Sequence, residues 1–96
     1  MVGAALDQRV VWKFSFDAAV EKTFEMPCMA DVLHFDLQRG TFCIWALVDP
    51  RLPSENRHFR IIGSGSPEFG ADEVVHLGTT MVEGGRFVFH CFEVTR

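Results

Sequence analysis

Apolar and polar residues alternate with period two from Val10 to Val94. Turn-forming pairs recur at short intervals, and no segment carries a helical stripe. Together these observations predict an all-β fold, a small antiparallel sandwich or barrel of about seven strands. With 96 residues the chain is read as one domain spanning 1–96, with residues 1–8 as a flexible N-terminus.

The first strand is expected over Val10 to Phe16, with Val10, Trp12, Phe14 and Phe16 on one side. Asp17-Ala18-Ala19 makes a short turn or a single turn of helix. The second strand runs from Val20 to Met26 and stops at Pro27, which has no N–H to give a ladder. A third strand, Asp31 to Gln38, and a fourth, Thr41 to Val48, flank Arg39-Gly40, a two-residue hairpin signal because glycine supplies positive φ. Asp49 to Asn56 holds two prolines and several turn formers and is read as a loop. The fifth strand is Arg57 to Ile62, followed by a loop from Gly63 to Gly70. The sixth strand, Val74 to Val82, and the seventh, Arg86 to Val94, flank Gly84-Gly85, read as another tight hairpin.

Hairpin geometry then fixes which residues share a face. In the first hairpin Leu33/Ala46, Phe35/Ile44 and Leu37/Phe42 form the core face. Val32/Leu47, His34/Trp45 and Asp36/Cys43 form the other. In the last hairpin Met81/Val88, Leu77/Phe92 and Val75/Val94 share the face assigned to the core. Val82/Phe87, Thr80/Phe89 and His76/Glu93 share the opposite one. Both hairpins are thus apolar on both sides. Ten Phe and two Trp in so short a chain also suggest more apolar surface than one core holds. A homo-oligomer with Trp45, Leu47, Phe87 and Phe89 at its interface is the expected outlet.

Thirteen acidic and nine basic side chains leave a net charge of −4, which argues against direct nucleic-acid binding. The N-terminus lacks a signal-peptide pattern, and no apolar run is long enough for a transmembrane helix. Cys28, Cys43 and Cys91 are odd in number and have no CxxC spacing, so free thiols in a cytoplasmic protein are expected.

No metal or other cofactor is expected. His90 and Cys91 are adjacent and point to opposite faces, His76 falls opposite Glu93, and His34 falls opposite Trp45. Gly63-Ser64-Gly65-Ser66 is neither a GxSxG elbow nor a phosphate loop, and no catalytic residue is assigned. Arg57, His58 and Arg60 with Ser64 form a candidate anion or ligand site for a phosphate or a partner's carboxylate. The alternative for these residues is a solvated strand face.

Trp45-Ala46-Leu47-Val48-Asp49-Pro50, the run from Arg57 to Gly65, and Phe87-Val88-Phe89-His90 resemble a family of small uncharacterised bacteriophage and prophage proteins. Trp12-Lys13-Phe14 and Met26-Pro27 extend the likeness over most of the chain after Val10. Cys28-Met29 stands where relatives often carry Glu-Gly, and Ser66 where they often carry His, which removes the basis for a histidine-dependent activity in that loop. The resemblance implies a phage context and the host cytoplasm. The reading that follows is a non-enzymatic accessory protein acting on a host factor, in counter-defence, either as a protein blocker or as a nucleotide-signal sponge. A minor virion or assembly protein is the second reading, and a small phosphohydrolase the third.

Overall fold

A computed structural model describes residues 8–66, 70 and 72–95. The expectation of a flexible N-terminus falls on residues 1–8, nearly all outside the described residues, as does part of the loop after Gly65. The strands are β1 (Val10–Ser15), β2 (Glu21–Pro27), β3 (Asp31–Gln38), β4 (Thr41–Val48), β5 (Ser54–Gly63), β6 (Val74–Val82) and β7 (Phe87–Val94). They form two antiparallel sheets, ordered β1-β4-β3 and β2-β5-β7-β6. The fold is an all-β sandwich of seven strands, as the alternation predicts.

Arg39 and Gly40 both have positive φ (51° and 79°), the signature of a two-residue type I′ turn, and Gln38 faces Thr41. From there Leu37/Phe42, Phe35/Ile44 and His34/Trp45 pair as the turn dictates. Beyond His34 a bulge shifts the register, so Val32 rather than Leu33 lies opposite Ala46, and Leu33 is exposed. The β6–β7 hairpin departs in the same way. Val82/Phe87, Met81/Val88 and Thr80/Phe89 pair as expected, and a bulge between His76 and Gly78 then places His76 opposite Phe92. Its connection is longer than Gly84-Gly85: a 3-10 turn over Glu83–Gly85, with φ positive at all three residues, joins Val82 to Phe87.

Boundaries at β1, β2, β5 and β7 also move by one to three residues. The chain passes from β1 to β2 through a turn closed by the Ala19 N–H on the Phe16 carbonyl, without helix. β5 starts at Ser54, because Ser54, Glu55 and Asn56 pair with Pro27, Met26 and Glu25. Those three residues are exposed, so they carry no apolar alternation to mark them as strand.

Most of the phenylalanines fill the interior. Phe14 and Phe16 from β1 and its turn meet Phe24 of β2 at centroid distances of 5.4 and 5.2 Å, and Phe24 meets Phe59 of β5 at 5.7 Å. Phe42 stacks on Phe35 and meets Phe89 edge-on at 5.1 Å. Phe89 therefore faces the core, and the face of β6–β7 that carries Thr80, Phe89 and Cys91 is the inner one. Met81 and Val75, placed on the core side by the sequence reading, are exposed. Any one face of this hairpin is mixed, so composition alone points the wrong way.

The sandwich is drawn together at the β3–β6 side. A Cβ on Gly78 would stand 3.0 Å from the Phe35 Cβ, so a larger residue there would force the two strands slightly apart. Beside it the Thr80 hydroxyl donates to Asp36 Oδ1 at 2.6 Å. On the outer face of the smaller sheet, Lys13 Nζ reaches across β4 to Gln38 Oε1 at 2.8 Å. Cys43 and Leu47, which point to that face, are nonetheless buried at 2% and 7% exposure.

Candidate functional site

The three basic residues proposed as an anion site divide between the two faces of β5, as strand alternation requires. Arg57 points inward, toward the open end between the sheets. Its guanidinium makes a two-pronged bond to Glu93, with both N–O distances 2.7 Å, and donates to the Ala30 carbonyl at 2.6 Å. Glu93 is the first cause that holds the Arg57 pKa above its ordinary value. This pair closes the end of the core instead of offering charge to a ligand.

His58 and Arg60 share the outer face, and carboxylates already hold both. His58 Nε2 lies 2.6 Å from Glu21 Oε1 and its Nδ1 lies 2.8 Å from Thr23 Oγ1. Arg60 donates to Asp72 Oδ2 at 2.7 Å and to Glu21 Oε1 at 3.2 Å. The fourth member, Ser64, lies away from them, bonded to His90. In the structure the members of the expected anion site are paired: Arg57 with Glu93 of β7, His58 and Arg60 with Glu21 across the β2–β5 ladder, and Arg60 also with Asp72 before β6.

A different constellation occupies the other half of the same face. Ser64 Oγ lies 2.7 Å from His90 Nε2, His90 Nδ1 lies 2.9 Å from Thr79 Oγ1, and Thr79 Oγ1 lies 3.0 Å from His76 Nε2. The His76 ring packs on Phe92 at 5.2 Å. These residues come from two strands, β6 and β7, and from the end of β5. The β5–β7 ladder sets Ile62 opposite His90, and the β6–β7 ladder sets Thr79 opposite His90 and, past the bulge, His76 opposite Phe92. Without that bulge His76 would face Glu93, as the unbroken register predicts. Sequence reading missed the group because Ser64 and His90 are 26 residues apart and depend on β7 lying between β5 and β6. Ser64 also lines a shallow cleft of about 190 Å³ with Gly63, Arg86, Phe87, Val88 and Phe89, and the Arg86 guanidinium lies 5.3 Å from the Phe87 ring centroid.

The proposed interface residues do not form one surface. Leu47 is buried and Phe89 packs into the core, so neither offers an exposed contact. Trp45 is half-buried beside the His34 ring at 5.8 Å, and Phe87 remains exposed on the other sheet. The exposed apolar residues gather instead along β1, where Val10, Val11 and Trp12 are 44%, 53% and 41% exposed. β1 is also an edge strand, bonded only to β4 within its sheet. Its start borders a larger groove of about 330 Å³ lined by Arg9, Met29, Asp49 and Leu52. Met29 there is the most exposed large apolar residue among the described residues, held at positive φ (64°) in the turn after Pro27.

Among the described residues no three or more His, Cys, Asp or Glu are grouped to hold a metal ion. None of their helices is long and apolar enough to cross a membrane. The three cysteines are free, and burial pushes the Cys91 thiol up to about 12, which leaves it unreactive. Neither the curated proteins nor the solved structures contain a match to the chain. A family model does match, over residues 7–96, and the chain belongs to that family, described as a domain of unknown function (DUF7352).

Proposed function

We propose that the chain is an accessory binding protein that engages a protein partner by strand addition along the free edge of β1. The observation that carries this reading is the coincidence of exposed Val10, Val11 and Trp12 with an edge strand that, among the described residues, pairs on one side only. Edge strands of water-soluble folds are usually protected by charge, proline or a bulge, and one lined with apolar side chains is a template for another strand. The groove at Met29 and Leu52 offers a pocket for an apolar side chain at the end of that strand. In the phage setting implied by the sequence resemblance, the partner is a host protein and the role is counter-defence in the host cytoplasm. A protein blocker fits this surface. A nucleotide sponge built on Arg57, His58 and Arg60 does not, because those cations are engaged.

The test is co-purification of the tagged chain from host extract with three variants. Val11→Lys and Trp12→Ala should abolish capture of a defined partner, while Met81→Lys, on the exposed face of β6, should leave it intact. Capture that survives both β1 substitutions would overturn the reading.

A further inference from the structure

We propose that Ser64 is an activated nucleophile, with His90 as its general base, in a site for small esters that carry a negative charge. The inference is independent of the binding surface at β1. Nucleophilic hydroxyls are recognised by geometry: a base within hydrogen-bond reach, itself oriented by a third group. Ser64 Oγ stands 2.7 Å from His90 Nε2, and His90 Nδ1 stands 2.9 Å from Thr79 Oγ1. The distances fit a chain in which the Ser64 hydroxyl donates to Nε2, the His90 Nδ1–H donates to Thr79, and the Thr79 hydroxyl donates to His76 Nε2 at 3.0 Å. In that tautomer Nε2 of His90 carries no proton and is aimed at the serine, as a general base requires. Thr79 and His76 are positioning residues.

The cleft beside Ser64 supplies the substrate class. Among the described residues Arg86 has no ion pair, in contrast to Arg57, Arg60 and Arg51, and it lies over the ring of Phe87 at the cleft. A carboxylic ester with an anionic tail would place that tail at Arg86 and its carbonyl near Ser64. In the first step Ser64 Oγ bonds to the carbonyl carbon as its proton passes to His90 Nε2. The ester C–O bond then breaks, and the leaving alcohol takes that proton. Water, deprotonated in turn by His90, cleaves the acyl-serine and regenerates the hydroxyl.

The test combines covalent labelling with ester turnover on the intact chain. A fluorophosphonate probe should modify Ser64, located by peptide mass mapping, in preference to Ser54 and Ser66. Phosphorus–oxygen bond formation releases fluoride, and His90 takes the serine proton. His90→Gln should lower the Ser64 labelling rate about 100-fold, within the range of general-base catalysis. Thr79→Val should alter the pH profile of labelling, and Thr79→Ser should restore it. Circular dichroism of each variant should match the parent, which separates lost chemistry from lost fold. For substrate class, p-nitrophenyl succinate should be hydrolysed in preference to p-nitrophenyl acetate, and Arg86→Ala should remove that preference. Labelling of Ser64 no faster than Ser66, or a rate untouched by His90→Gln, would overturn the nucleophile. A preference unchanged by Arg86→Ala would overturn the anionic substrate.

Discussion

At the scale of single residues, carboxylates answer Lys22, Arg51, Arg57 and Arg60. Arg57 and Glu93 are 17% and 16% exposed, and the pair sits where the sandwich would otherwise open onto its core. Removing Arg57 leaves the Glu93 charge poorly solvated and frees the Ala30 carbonyl from its donor. Arg57→Ala should therefore cost about 2–4 kcal/mol, read from chemical denaturation, near the lower end for breaking a buried pair. Replacing both partners with apolar residues should recover part of that loss. Acid acts on another pair of carboxylates. The Thr80 hydroxyl, then the Leu37 amide, hold Asp36 below the usual carboxylate range, and Arg51 holds Asp49 down to about 2. Both groups ionise more readily folded than unfolded. Their contributions are present above the ordinary carboxylate pKa and are lost as pH falls through the folded values. Melting temperature should thus decline from about pH 4 toward pH 2. Asp36→Asn should lower it at neutral pH and flatten part of that decline.

At the scale of elements the two hairpins share a plan: a tight connection, a correct register beside it, and one bulge farther out. The part next to each turn was legible because turn chemistry and strand alternation agree, at Arg39-Gly40 and from Val82/Phe87 to Thr80/Phe89. The bulges were not legible, since an inserted residue reverses the facing of everything beyond it and leaves no mark in local composition. Leu33 became exposed for that reason, and His76 was delivered to Thr79 and Phe92 instead of Glu93. The candidate site was hidden for the same reason, because its members meet only through sheet order. The inner face of β6–β7 was misread because Met81 and Val88 look more like core than Thr80 and Phe89. Close packing decided otherwise, with Thr80 bonded to Asp36 and Gly78 set against Phe35. Gly78→Ala would crowd the Phe35 Cβ and should destabilise the fold by about 1–3 kcal/mol. Phe89→Ala should cost about 3 kcal/mol by opening a void beside Phe42, in the range for truncated core phenylalanines. Either effect would appear as a lower denaturation midpoint without a change in subunit number. A contact residue at a subunit interface would behave in the opposite way.

At the scale of the whole molecule the sandwich closes on one side and stays open on the other. β3 and β6 are stitched by Phe35/Gly78 and Asp36/Thr80, whereas β1, among the described residues, pairs only with β4 and leaves Val10, Val11 and Trp12 exposed. A second copy of the chain is always available to cover such an edge, and antiparallel addition of β1 to β1 about a two-fold axis keeps both inner faces on one side. Same-face pairing permits few registers. Centred on Lys13, the strands would oppose two lysines directly, and centred on Val11 they would set Arg9 against Lys13. Centred on Trp12, they stack the two indoles, pair Val10 with Phe14, and lay Val11 along the Lys13 stem. That register avoids like charges and gains apolar cross-strand contact. We therefore expect a dimer at tens of micromolar with Trp12 at its axis, in competition with any partner strand for the same edge. Sedimentation equilibrium should show Val11→Lys shifting the protein to monomer while its β-sheet spectrum persists. Trp45→Glu, beside His34 on the far face, should leave the dimer in place. A monomer at that concentration in the parent chain would assign the edge to the partner protein alone. A dimer insensitive to Val11→Lys but split by Trp45→Glu would return the interface to the face where the two hairpin registers first placed it.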